Sequence, residues 1–336
     1  MRWQVLLLVV ATGCADWGRP PLTAPYRSGE PLIQEQALVG ISRDGSAAAV
    51  QLIDAEGAAP RLELLALDGK GGATRHLAVA PPETATVVAR QVRAEGTKAV
   101  PLLGAIAAHQ WPEALGRAAR DGFSPAAPTA PDAGPQRWSV APRAGPGAPP
   151  LMLRIAVSES DPRAFTLLLS VPPDADGSAT QVELARQPIS GTPIDGGLWQ
   201  TADIVWLLSG SVAEGEPLRR AIGLRRGSIR RGEAELHDHR GSALRAARDL
   251  DGAAREFDRA VGADPRFVDA LYNAASTAAS SGREEEAVAW LRRAAEVDRR
   301  RVQILARDDD ALQALRERPG IGDILGMKRP PPQTSK

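Results

Sequence analysis

The chain has 336 residues, 43% of them apolar and 24% charged, with Lys+Arg and Asp+Glu both at 41 and a formal net charge of zero. These figures fit a globular protein of about two domains and exclude a collagen-like or charged-coil chain. A balanced charge supplies no global field, so no nucleic-acid partner is expected, and with aromatics at only 4% the core must be built mainly from Leu, Val, Ile and Ala.

At the N-terminus one charge, Arg2, precedes the apolar run Val5 to Ala11, and Thr12-Gly13-Cys14 follows. A charged start, a short apolar run and small residues before a cut is the layout of an export signal, and this run is too short to span a bilayer. Residues 1–14 resemble a bacterial lipoprotein signal, with Ala11 standing where Leu is usual. The resemblance implies a signal peptide at 1–13, cleavage before Cys14 and lipid on the Cys14 thiol and new amino terminus. Cys14 is the only cysteine, so it has no partner for an internal disulfide. Ala15 follows it in place of an Asp, which in similar Gram-negative lipoproteins goes with the outer membrane, facing the periplasm or the cell surface. Residues 14–36, with Pro20, Pro21, Pro25 and Pro31, read as lipid anchor and extended tether.

A middle domain over 37–230 carries strand signals broken by turns. Ala37 to Ser42 and Ala47 to Ile53 flank Asp44-Gly45, a hairpin signal, and Arg61 to Leu67 is joined to Ala73–Ala80 by the glycine-rich turn 68–72. The pattern resembles one β-propeller blade. A faint second copy begins at Val157, roughly 117 residues on, and points to a duplicated small β unit. Glu83 to Gly122 reads as two helices, and residues 124–150, with eight prolines, read as a linker or long loop. Leu151 to Val171, Thr180 to Ala185, Ala202 to Leu208 and Leu218 to Ile229 then favour a mostly antiparallel sheet with side helices.

From Ala234 to about Leu325 the texture turns helical. Ala253, Phe257, Ala260 and Asp264-Pro265 recur 34 residues later as Ala287, Leu291, Ala294 and Asp298-Arg299. This resembles the tetratricopeptide repeat, two antiparallel helices that need small side chains where their backbones approach and a large apolar one as a wedge. Gly282 falls at the turn of the second unit, where Arg248 stands in the first, and Leu271 holds a place the family often gives to Trp. Val302 to Leu315 and Pro319 look like a shortened closing unit, and the domain is placed at 231–326 with a disordered tail at 327–336. The resemblance implies a groove lined by the first helix of each unit, here Asp238, Ser242, Tyr272, Asn273, Ser276 and Arg307. Of the five positions that clamp a terminal carboxylate in some relatives, only Asn273 and Arg307 fit.

Catalytic patterns are weak. The turn Asp68 to Thr74 lacks the Lys-Ser/Thr ending of a phosphate loop, and His237 and His239 have the wrong spacing for one helical face, so both read as adventitious or solvent-facing. No Gly-x-Ser-x-Gly elbow is present, the acidic triplets 284–286 and 308–310 read as solvated helix starts, and the paired arginines at 219–231 read as an ordinary charged strand. The expectation is an α+β chain: a mainly antiparallel middle domain followed by a C-terminal helical array of tetratricopeptide type. Its function would be that of a non-enzymatic envelope lipoprotein, without cofactor or metal, that docks a protein partner. The alternative is a middle domain that binds a glycan or small ligand, with the repeats structural.

Overall fold

The computed structural model describes residues 34–54, 59–94, 112–125, 129, 131–134, 136–145, 147–157, 164–171, 180–188, 192–200, 203–213, 216–318 and 320–326. The segments read as signal peptide and tail, Cys14 and most of the stretch read as a tether lie outside the described residues. Strands β1 (Gln34–Ser42), β2 (Ala48–Asp54), β3 (Arg61–Leu67) and β4 (Ala73–Val79) are followed by helices α1 (Pro82–Ala94) and α2 (Pro112–Arg120). Next come β5 (Phe123–Pro125), β6 (Arg137–Val140), β7 (Leu151–Val157), β8 (Ala164–Ser170), β9 (Gln181–Pro188), β10 (Thr192–Gln200), β11 (Ile204–Ala213) and β12 (Glu216–Ser228). The chain ends in helices α3 (Ile229–Ala246), α4 (Leu250–Ala263), α5 (Val268–Ser280), α6 (Glu284–Leu305) and α7 (Ile321–Ile324), with 3-10 turns at Ala306–Asp308 and Asp310–Leu315. The fold is mixed α+β.

Contacts divide the chain into two units: Met1–Gln136 with Ile155–Leu167 and Ala185–Gly227, and Arg137–Arg154 with Leu168–Leu184 and Ser228–Lys336. The sequence places one boundary near residue 230; by contacts, two middle stretches cluster with the C-terminal helices.

In the first unit an eight-stranded sheet runs in the order β10-β11-β12-β1-β2-β3-β4, with β5 on β1. The β1–β2, β2–β3, β3–β4, β1–β5 and β10–β11 pairs are antiparallel, whereas β1 and β12 are parallel. Alternation sets its burial: Leu62, Leu64 and Ala66 of β3 point inward and Arg61 outward. Leu38, Ile41, Val50, Leu67, Trp199, Trp206 and Leu224 form one core cluster. The two predicted hairpin turns are both present. Asp44 caps the first, accepting from Ser46 N at 3.0 Å while Gly45 takes φ +68°. Hydrogen bonds from Ser42 and Ser46 hold the Asp44 carboxyl down at about 2. In the second, the Asp68 carboxylate accepts from Lys70 N and Gly72 N at 2.8 and 2.9 Å, and Gly71 takes φ +81°. Trp206 donates its indole N–H to Gly45 O at 3.2 Å, tying the first turn to β11.

The four strands read as one blade thus form part of a wider sheet. The suggested second copy falls on β8 and β9, in a separate four-stranded sheet of order β6-β7-β8-β9. Residues 124–150, read as linker or long loop, contain the end of β5 and all of β6. The β6 strand pairs antiparallel with β7, Trp138 opposite Leu153.

Candidate partner-binding groove of the helical array

The helices of the second unit make two hairpins and a closing turn. α3 and α4 form the first hairpin, α5 and the first part of α6 the second. Ala253, Phe257, Ala260, Ala287, Leu291 and Ala294 are all closed to solvent, as the repeat pattern requires. Helix α6 changes direction at Asp298, whose backbone leaves the helical region at φ −154°, ψ 93°. Asp264, 34 residues earlier, has nearly the same conformation, φ −131°, ψ 96°. Each carboxylate then accepts from a backbone N–H just ahead, Asp264 from Arg266 at 3.0 Å and Asp298 from Arg301 at 2.9 Å. Pro265 reinforces the first break; the second, followed by Arg299, rests on the aspartate cap. Past this break the chain runs as a short third first-helix, and Leu312, Leu315, Ile321 and Ile324 of the closing turns bury themselves in the array core.

The other end of the array is covered too. Gly232 of α3 faces Leu184 and Leu169 so closely that a Cβ there would collide with the Leu184 methyl. Beside it Glu233, fully buried, accepts backbone N–H bonds from Arg143 at 2.7 and 2.8 Å and from Ala144 at 2.8 Å. Ala144 O also lies 3.1 Å from a Cβ built on Gly262 of α4. The proline-rich segment after β6 is thereby seated on the first hairpin by a carboxylate that the sequence gave no reason to single out.

Of the six predicted lining residues, Asp238 and Ser242 stand on α3, Tyr272, Asn273 and Ser276 on α5, and Arg307 in the 3-10 turn after α6. Asp238 and Asn273 are brought together, Asn273 Nδ2 donating to Asp238 Oδ1 at 2.7 Å. Arg245 donates to Asn273 Oδ1 at 3.4 Å. Tyr272 is buried and donates its hydroxyl to Asp309 Oδ2 at 2.7 Å, and Ser276 is buried as well. Ser242 and Asn273 are half-buried and Arg307 is exposed. Asp238 and Tyr272 are thus engaged by Asn273 and Asp309, and Ser276 is closed to solvent.

Two residues that sequence reasoning passed over extend this link. Arg301 grips Asp269 through Nε at 2.8 Å and Nη2 at 2.7 Å, joining α5 to the helix after the break. Successive first helices are therefore bridged by Asp238–Asn273 and then by Asp269–Arg301. These partners lie 35 and 32 residues apart, so a search for complementary polar pairs near the repeat length would have found them. Burial raises the Asp238 carboxyl and the nearby Asp269 charge adds to this, against the Asn273 hydrogen bond. Burial and the Asp309 carboxylate push the Tyr272 phenol up as well.

The histidine reading is corrected. His237 is fully buried, its Nδ1 2.7 Å from Glu256 Oε2, while His239 is exposed. His237 reads as solvent-facing from the sequence because a histidine on an α-helix carries no periodic signal of its own; only its place 34 residues before Leu271 marks it as a core position. His76 is exposed beside Glu63 at 3.4 Å, and His109 lies outside the described residues. The acidic triplet 284–286 begins α6 as expected, but Glu284 and Glu285 both pair with Arg318, at 2.5 and 2.6 Å. Among the described residues no group of three or more His, Cys, Asp or Glu could hold a metal ion, and no helix is long and apolar enough to cross a membrane.

This array matches the family model of the tetratricopeptide repeat over residues 244–318. Over those residues the helices are tetratricopeptide-like repeats, a class of module that generally serves protein–protein interaction. No curated protein matches the chain. No solved structure matches it either.

Proposed function

We propose that the protein is a non-enzymatic lipoprotein of the bacterial cell envelope, held in the outer membrane by lipid on Cys14, whose repeat array docks a protein partner. The observation that carries the docking role is the match of 244–318 to the tetratricopeptide repeat on helices that pack as two hairpins and a closing turn. Both ends of the stack are covered, by Leu169 and Leu184 at Gly232 and by the closing turns at the other side, so a partner meets the array laterally. The anchor rests on the residues around Cys14 and on the extended composition of 15–36, which spaces a folded unit from a membrane. Ser242, Asn273 and Arg307 are the predicted groove residues that keep side-chain surface for contact.

A photo-crosslinking residue placed in the full chain at Ser242 or Arg307, against controls at Arg255 and Arg292 on the second helices, tests the docking face. Adducts of one mass confined to the first pair are expected; equal yields at all four positions refute the assignment. Metabolic labelling with a palmitate analogue tests the anchor separately, since Cys14→Ser must abolish the label.

A further inference from the structure

We infer that the His237–Glu256 pair makes the first helical hairpin an acid-sensitive element of the array, one that loosens as pH falls while the second hairpin keeps its packing. His237 on α3 is completely buried and Glu256 on α4 nearly so, with Nδ1 and Oε2 2.7 Å apart. The other carboxylate oxygen accepts from Arg259 at 2.5 Å, and Arg240 stands 3.8 Å from Oε2. His237 Nε2 is closed to solvent and has no hydrogen-bond partner among the described residues.

The repeat supplies an internal comparison. Thirty-four residues on, the places of His237 and Glu256 are taken by Leu271 and Trp290. Leu271 is fully buried and Trp290 packs against the core clusters, so the second unit fills these positions with apolar side chains. One hairpin is thus closed by a proton-dependent bond and its neighbour by packing alone.

With a neutral ring, the Nδ1–H donates to the carboxylate and Nε2 keeps a bare lone pair. Protonation of Glu256 removes the acceptor that holds His237 and faces both arginines, leaving the buried His237 Nδ1–H without its partner. That opposes the closed hairpin.

Of the other groups on this hairpin, Glu233 is held by Arg143 and Ala144. Burial raises the carboxyls of Asp238, bonded to Asn273, and of Asp258, so these two favour the folded state at low pH and work against the loosening. From α5, Asp269 bears on Asp238 and is gripped by Arg301. Leu169 and Leu184, which meet α3 at Gly232, are apolar. Burial pushes the Glu256 carboxyl up, but the His237 hydrogen bond and the neighbouring charges, Arg240 and Arg259 among them, outweigh it, and the group sits below the ordinary carboxylate range. Its contribution is therefore complete above that ordinary range and is lost as pH falls through the depressed value.

Hydrogen–deuterium exchange of the full chain, read by peptide and corrected for intrinsic rates, tests this between about pH 7 and about pH 3, across carboxylate titration. Protection over 229–263 is expected to fall severalfold relative to 268–297. Parallel loss in both hairpins, or constant protection in both, overturns the inference. A variant carrying H237L and E256L, which copies the apolar filling of the second unit, is expected to flatten the response; a folded variant that responds like the parent overturns it. Should that variant not fold, the comparison between hairpins in the parent decides alone.

Discussion

At Gly241 the backbone of α3 meets the Phe257 ring, and a Cβ built there would lie 2.7 Å from Cε1. The equivalent place in the second hairpin is Ala275, fully buried, where a wedge of Leu291 shape leaves room for a methyl. Gly241→Ala therefore overpacks the first hairpin, and urea unfolding followed by helical circular dichroism should show a loss of about 1–3 kcal/mol. Asp238 works in the opposite sense. Burial raises its carboxyl, so the folded state prefers the protonated form; that favourable contribution is present at low pH and is lost as pH rises through the carboxylate range. Asp238→Asn keeps an oxygen to accept from Asn273 Nδ2 and buries no charge. Stability at neutral pH is expected to stay equal or to rise by up to about 1 kcal/mol, measured in the same assay.

The turns between helices show how one element can succeed with different residues. Gly282 ends α5 at φ +74°, a conformation glycine adopts without strain, and Arg248 ends the first turn at φ +67° with a full side chain. Arg248→Gly should raise the melting midpoint, with a gain of about 0.5–1 kcal/mol. Asp298 is the reverse case, for it interrupts α6 without a proline behind it. Asp298→Ala removes the cap on Arg301 N and should cost about 1 kcal/mol, read from the same unfolding curves. The helices were legible because alanines recur at matched places, and β1 to β4 were legible because Asp-Gly and glycine-rich turns flank alternating runs. Strand β10 was not. Pro193, Gly196 and Gly197 speak for a turn, and the segment becomes a strand because β11 offers it a ladder, with a register shift between Pro193 and Asp195.

On the scale of the whole molecule, the second unit is assembled from three separated stretches of chain. A construction that begins at residue 231 would keep all the repeat residues yet strip Leu169 and Leu184 from Gly232 and the backbone donors from Glu233. The fragment 231–336 is expected to melt at a clearly lower temperature than the helices of the full chain, followed by circular dichroism; equal midpoints would show that the array needs neither contact. A buried carboxylate deprived of its donors is a costly group, and an uncovered apolar helix face adds to the loss.

Sequence alone determined the class of each half, the length and spacing of the repeat, and the residues that allow close helix approach, because those properties follow from local periodicity and side-chain size. Tertiary structure decided which middle strands join the helices, that Asp238 and Tyr272 find partners in Asn273 and Asp309, and that His237 is buried against Glu256. Those outcomes depend on partners 19 to 90 residues away, and a buried polar group declares its role only when the donor or acceptor that satisfies it is in place.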